Sequence, residues 1–200
     1  VKIIRIHAFT WCSELLEVNI GNGVKRIFGC SFSNCPSLQS VAIGTGLTNI
    51  DRDAFSGCNS LMSIIIDNNN PTYDSRNNCN AIIETATNTL VIGCRNTKIP
   101  NGIITIGAAA FYGCGQLKSI CIPNSVESIE DEAFSNCYSL ESVAIGYGLA
   151  NTKGNVFRCC RSLSSIVINS NNPAYDSRNN CNAIIETITN TLVQGCSGTT

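Results

Sequence analysis

The chain has 200 residues, with 13 Lys and Arg against 14 Asp and Glu, one His, and a net charge of −1. Charged residues make up 14%, well under the usual quarter, so the composition gives no electrostatic basis for holding nucleic acid or an anionic membrane. No run of about 18 apolar residues is present, so nothing reads as a membrane-spanning helix.

From its first residues the chain repeats one phrase, Ala-Phe-x-x-Cys-x-x-Leu-x-Ser-Val-x-Ile. Its Phe falls at Phe9, Phe32 and Phe55, then at Phe111, Phe134 and Phe157, in steps of 23. A period in the twenties indicates a solenoid, in which each coil buries its apolar edges only by stacking on its neighbours. Residues 38–58 serve as the model coil. Leu38-Gln39-Ser40-Val41-Ala42-Ile43 alternates like a strand, and Gly44-Thr45-Gly46 turns the chain. Leu47 to Ile50 runs back, Phe55 enters the core, and Gly57-Cys58 closes the coil. Leu38, Val41, Ile43, Leu47, Ile50, Phe55 and Cys58 are the expected core, stacked on their counterparts about 4.8 Å away. The residue before each repeat Cys is Trp11, Asn34, Gly57, Gly113, Asn136 or Cys159. Gly and Asn there predict a left-handed turn that Trp11 and Cys159 do not suit.

Between Phe55 and Phe111 the step is 56. The extra residues form a long unit whose string Pro71 to Cys94 returns as Pro173 to Cys196, an offset of 102, with only Thr72/Ala174, Ala86/Ile188 and Ile92/Gln194 different. The chain therefore reads as one solenoid over residues 1–200, built on a super-repeat of 102 residues, with hairpin insertions at about 67–99 and 169–200. Both termini fall inside a repeat, which predicts a segment of a longer array. Asn80 to Glu84 and Thr89 to Gly93 alternate around a short turn, as a β-hairpin does. An even-numbered loop centred on Ala86-Thr87 sets Cys79 opposite Cys94, and Cys181 opposite Cys196. These pairs either form disulfides or stay reduced and cap the hairpin face with Ala81, Ile83, Leu90 and Ile92.

Ile122-Pro123-Asn124-Ser125-Val126-Glu127-Ser128-Ile129, followed by Ala133-Phe134-Ser135-Asn136-Cys137-Tyr138-Ser139-Leu140, resembles the repeat of the BspA-like leucine-rich repeat proteins. These are the 23-residue class found on the surfaces of oral and gut anaerobes and in some parasitic protists. The resemblance covers essentially the whole chain. It implies a mainly β, right-handed leucine-rich-repeat solenoid with short parallel strands, and the repeat itself predicts roughly eight coils. It also implies a cell-surface or secreted location and adhesion to host matrix proteins or to other cells. It carries over no functional residue, because the motif positions are structural.

The repeat cysteines Cys12, Cys35, Cys58, Cys114, Cys137 and Cys160 read as buried thiols acting as small hydrophobes. With no Cys-x-x-Cys pair and a lone His7, neither a metal nor a cofactor is expected. Asp67-Asn68-Asn69-Asn70 is rich in oxygen, as calcium loops are, but the second copy has Asn169 at the first position, which favours turn capping. Glu84 and Glu186 are copies of one hairpin residue and not a catalytic pair. The chain is therefore read as non-enzymatic. The outward columns of the strands remain: Ser40, Ser63, Ser119, Ser142 and Ser165, beside Ala42, Ile65, Cys121, Ala144 and Val167. They form a nearly uncharged face, either a platform for a protein partner or a plain solvated surface. The leading reading is a surface or secreted adhesin segment that binds a host or microbial macromolecule. The alternative is a structural spacer that presents other domains.

Overall fold

The computed structural model describes residues 1–200. It is a mainly β, parallel-strand solenoid of about seven turns with almost no helix. Each 23-residue coil contributes two short strands to two separate ladders. Ser40–Ile43 pairs in parallel with Glu17–Ile20 on one side and Ser63–Ile66 on the other, in a register that matches Ser40 to Ser63 and Val41 to Ile64. The second half of the chain repeats this with Ser119–Ile122, Ser142–Ile145 and Ser165–Ile168. The other ladder is made of two-residue strands, including Ile3–Ile4, Arg26–Ile27 and Asn49–Ile50.

The alternation of the sequence sets the burial. Val41 and Ile43 are buried while Ala42, between them, is exposed. All seven core residues expected for the model coil are buried. The phenylalanines stack face to face, with centroids 4.9 and 5.1 Å apart from Phe9 through Phe32 to Phe55, and 4.8 and 5.4 Å from Phe111 through Phe134 to Phe157. Removing several hundred square ångströms of apolar surface per coil at about 25 cal/mol/Å² is what holds such a stack together.

The turn before each repeat Cys is left-handed in every coil. Trp11 and Cys159, at φ 63° and 60°, adopt it as fully as Asn34, Asn136, Gly57 and Gly113. Contacts from the neighbouring coil outweigh local preference here: Trp11 N donates to Ser33 O at 3.1 Å, as Asn34 N does to Ser56 O at 2.8 Å. A second left-handed column, absent from the sequence reading, runs through His7, Cys30, Ala109, Glu132 and Asn155.

The long unit differs most from expectation. It is a three-stranded antiparallel unit of Tyr73–Asp74, Ile82–Glu84 and Thr89–Ile92, not a two-stranded hairpin. It lies in line with the stack, because Thr89 and Leu90 pair in parallel with Thr105 and Ile106 of the next coil. It thus serves one ladder and supplies no strand to the other, so it does not count as a full coil; the roughly eight expected become about seven. It also divides the core: Cys79, Ala81, Ile83 and Leu90 belong to the downstream cluster of 28 buried residues, while Tyr73, Ile82, Ile92 and Cys94 belong to the upstream cluster of 20. No helix of the structure is long and apolar enough to cross a membrane.

Candidate binding surface

The outward strand columns lie where the alternation places them. Ala42, Ile65, Cys121, Ala144 and Val167 are exposed, as is Ser119, while Ser40, Ser63, Ser142 and Ser165 are half-buried. The columns are not continuous across the molecule. They belong to two three-stranded sheets, Glu17–Ile20 to Ser63–Ile66 and Ser119–Ile122 to Ser165–Ile168. No strand of the long unit bridges them. Residues 94–99 cross the gap instead, leaving a cleft of about 570 Å³ lined by Arg95, Asn96, Lys98, Ser119 and Cys121, among others. Thr97 fixes this crossing: its hydroxyl accepts from Cys94 N at 2.8 Å and donates to Asn80 O at 2.7 Å. Reading the columns as one uninterrupted series missed the cleft; the 56-residue step was the available signal.

A second groove, also about 570 Å³, opens on the turn side. There the turns of the two half-arrays meet directly above the long unit, which has no such turn. A Cβ on Gly113 would stand 3.0 Å from Gly57 N, and Gly115 N donates to Asn59 Oδ1 at 3.0 Å across 56 residues. Arg52, Asp53, Glu132, Tyr112 and Tyr138 line this groove. At the N-terminal end an apolar cavity of about 700 Å³ is lined by Ile4, Phe9, Leu15, Val18 and Ile20.

The hairpin cysteines do not stand opposite one another. Ile83 pairs with Leu90 and Glu84 with Thr89, as the loop length predicts, but a bulge between Ile82 and Ile83 then moves the register to Ile82 and Ile92. One extra residue turns the following side chains to the other face. Cys94 therefore sits beside Asn80, whose carbonyl accepts its thiol at 3.3 Å, and Cys79 faces the other core. Cys196 repeats the contact with Asn182 O at 3.0 Å. Cys79, Cys94, Cys181 and Cys196 are all free thiols, as are the other nine.

The repeat cysteines do more than fill space. Cys35, Cys58, Cys137 and Cys160 each donate Sγ–H to the carbonyl of Phe9, Phe32, Phe111 and Phe134, at 3.0, 3.0, 3.1 and 3.0 Å. A thiol is small enough for the core and still donates to a carbonyl there, which alanine or valine cannot do. Burial pushes the Cys58 thiol up to about 12 and that of Cys79 to about 11, so both are held as inert thiols at neutral pH.

The remaining polar candidates are turn caps. Asp67 Oδ1 accepts from Asn69 N at 2.9 Å, and Asn169 does the same for Asn171 N at 3.0 Å. Asn70, the last residue of the stretch read as turn capping, and its counterpart Asn172 are buried. Each donates to a carbonyl of the preceding coil and accepts two backbone amides, Asn70 from Thr72 and Tyr73 at 2.9 Å. His7 Nδ1 meets only Thr10 Oγ1, at 3.2 Å, and Glu84 accepts from Thr87 of its own hairpin at 2.6 Å.

A family model of the BspA type leucine rich repeat region matches residues 1–89 and 91–194, in six copies. Among solved structures, a leucine rich cell surface protein from Faecalibacterium prausnitzii is 26% identical with a TM-score of 0.49. The match covers 86% of this chain and 64% of that one. A leucine-rich repeat protein from Eubacterium ventriosum is 18% identical with a TM-score of 0.48, over 85% of this chain and 64% of that one. The leucine rich repeat protein of T. pallidum is 22% identical with a TM-score of 0.43, over 78% and 60%. The chain thus spans less than two thirds of the length of each of these proteins. No curated protein matches it. With the family model covering nearly every coil, and with the phenylalanine and cysteine columns in register, the chain belongs to the BspA-type leucine-rich repeat family.

Proposed function

We propose that this chain is a non-enzymatic binding segment of a cell-surface or secreted adhesin, and that it docks a host or microbial protein on its outward strand face. The supporting observation is the exposed apolar column. Ile65 and Val167 are 59% and 53% exposed, while their strand neighbours Ile64, Ile66, Ile166 and Ile168 are buried. Apolar side chains presented on a rigid, regular frame can be covered by a partner without the ordering cost of a mobile loop. The cleft between the 94–99 crossing and strand Ser119–Ile122, with Arg95 and Lys98 on its wall, gives this face a basic contact for an acidic group of the partner. The surface location rests on the family's association with adhesion.

Capture of host matrix proteins by the immobilised chain tests this reading. Saturable binding of micromolar strength or better, about 8 kcal/mol, is expected. Ser119→Lys with Ser142→Lys should weaken it at least about tenfold, since unmatched charge at an interface centre is costly. If that variant binds normally while Ala86→Lys and Ile188→Lys at the hairpin tips abolish binding, the hairpins carry recognition. Absence of saturable binding leaves the array as a spacer.

A further inference from the structure

The groove on the turn side lies apart from the outward strand face. It draws all its lining from residues 30–138, with the coils of Phe9 and Phe157 beyond it on either side. Within it the turn hydrogen bonds are interrupted. Trp11 N, Asn34 N, Gly113 N and Asn136 N each donate to a carbonyl of the next coil, at 3.1, 2.8, 2.9 and 2.8 Å. Gly57 N, their equivalent at the seam of the two half-arrays, donates to none. A Cβ on Gly113 would stand 3.0 Å from that nitrogen, so a glycine there keeps the approach to it open. Beside Asn136 in the chain, the Ser135 hydroxyl is buried and also unpaired. Two unpaired polar groups at one place are uncommon in a folded protein, and a polar ligand can complete them.

Two tyrosines line the same groove, Tyr112 at 36% and Tyr138 at 48% exposed. Tyr138 shares a repeat position with Asn59, Gly115 and Arg161. Its hydroxyl donates to Asn136 Oδ1 at 3.2 Å, which helps to fix the ring. The Arg161 guanidinium of the downstream coil backs the ring, 5.7 Å from its centroid. Gly115, in the upstream coil, has no side chain to cover the other face. Tyr112 stands in a column between Ser56 and Ser135, both too short to cover its ring. The face of an aromatic ring is negative, so it attracts the polarised C–H groups of a sugar as it attracts a cation.

We propose that this groove binds a neutral saccharide, whose C–H face rests on the tyrosine rings while its hydroxyls pair with Asp53, Glu132, Arg52 and the Gly57 amide. A sugar hydroxyl both donates and accepts, so it needs acceptors and donors side by side, and these four residues supply both. The charges balance within the groove. Arg52 adjoins Asp53 in the chain, and Arg158 Nη1 lies 3.6 Å from Glu132 Oε1. Such a lining gives a ligand of either net charge little advantage and suits one that is uncharged and rich in hydroxyls. Arg52 and Asp53 also line an adjoining cavity of about 500 Å³ with Ile50, Asp51 and Val91, which leaves room for more than one sugar. The side chains stand on stacked coils, so little order has to be gained on binding. This site is separate from protein docking on the strand face.

The test applies the unaltered chain to an array of immobilised neutral glycans with glucose, galactose, mannose and N-acetylhexosamine termini, beside sialylated and sulfated ones. The free disaccharide of the strongest binder is then titrated by saturation-transfer NMR. Binding to neutral members is expected, with a dissociation constant on the order of 1 mM or tighter. Tyr112→Ala and Tyr138→Ala should each weaken it about tenfold, the usual scale of one aromatic contact. Both residues are exposed, so the fold should survive, and circular dichroism verifies it. Ser119→Lys with Ser142→Lys, on the strand face, should bind the sugar as the unaltered chain does, so a failure of protein docking and a failure of this site are read separately. No binding to any neutral glycan overturns the proposal. Binding that survives Tyr112→Ala combined with Tyr138→Ala overturns it as well, as does binding confined to the sialylated and sulfated members.

Discussion

Residues 71–94 and 173–196 share all but three side chains, and their local structure agrees in detail. Both hold a 3-10 turn between a two-residue strand and a bulged antiparallel pair. Asp74 and Arg76 pair at 2.6 Å, and Asp176 and Arg178 at 2.7 Å. Burial separates them. Leu90 is fully buried and Leu192 is 57% exposed; Cys94 is buried and Cys196 only partly so. One copy has a coil on both sides and the other on one. In this molecule a residue's local shape comes from its own unit, while its contribution to stability comes from the next unit along.

The sharpest way to break this picture uses the phenylalanine stack. Phe134 has rings on both sides and no exposed surface. Phe134→Ala should cost about 3–5 kcal/mol in urea unfolding, as buried aromatics do. Phe9, with one ring neighbour at 4.9 Å, should cost about half as much. Hydrogen exchange after Phe134→Ala should lose protection in the coils of Phe111 and Phe157 before those of Phe9 and Phe32. Uniform loss along the chain would show that the coils do not act as nearest neighbours.

The direct test compares the two copies. Leu90→Ala should destabilise by about 2–5 kcal/mol, because it opens a cavity between the long unit and Phe111. Leu192→Ala, the identical change in the second copy, should stay within about 0.5 kcal/mol. Equal effects would mean that the internal junction contributes nothing beyond the hairpin itself.

The repeat made the coils legible. The Phe and Cys columns and the alternation at Val41, Ala42 and Ile43 fixed which residues stack and which face out, since one coil's pattern is averaged over six copies. The long unit was legible only as a hairpin. Its third strand, Tyr73–Asp74, is too short to show a period, and the bulge at Ile82 has no signature in a run of apolar residues that are buried on both faces. That bulge decides where Cys79 and Cys94 point. The cleft at Arg95 and Lys98 depended in turn on knowing that the long unit withholds a strand from one ladder. Trp11 shows the opposite case, in which the stack imposes a left-handed turn on a residue that does not favour it.

Alkaline pH tests the same neighbour dependence through the thiols. Cys58 and Cys79 are raised by burial from an ordinary value of 9.0 to about 12 and about 11. Between those values the unfolded chain has released protons that the folded chain keeps, so rising pH favours unfolding. Their stabilising contribution is complete below pH 9 and is lost as pH climbs through the folded values. Urea midpoints should be flat up to about pH 9 and fall above it. Cys58→Ala should make that fall shallower. An unchanged slope would mean the Cys58 thiol is not buried as the stack requires.

The smallest expected effect concerns the two Asp–Arg pairs, whose geometry is nearly the same. Arg76 Nη1 donates to Asn88 Oδ1 and Arg178 Nη1 to Asn190 Oδ1, both at 2.9 Å. The internal asparagine is also held from outside, because Asn88 O accepts Ile104 N of the next coil at 3.0 Å. Within these 200 residues no second coil holds Asn190, so Arg178 orders a partner that nothing else there fixes, and the entropy lost cancels most of the gain. The Arg178 guanidinium does hold the Asp176 carboxyl below its usual range. That stabilisation is present at neutral pH and is lost as pH falls through the lowered value, but both groups stand largely in water, where screening reduces it. Arg76→Ala should therefore cost up to about 1 kcal/mol, and Arg178→Ala measurably less. Thermal midpoints measured in low and high salt separate the two. A larger loss for Arg178 would show that the terminal hairpin depends on its own ion pair for the order that the internal hairpin receives from its neighbour.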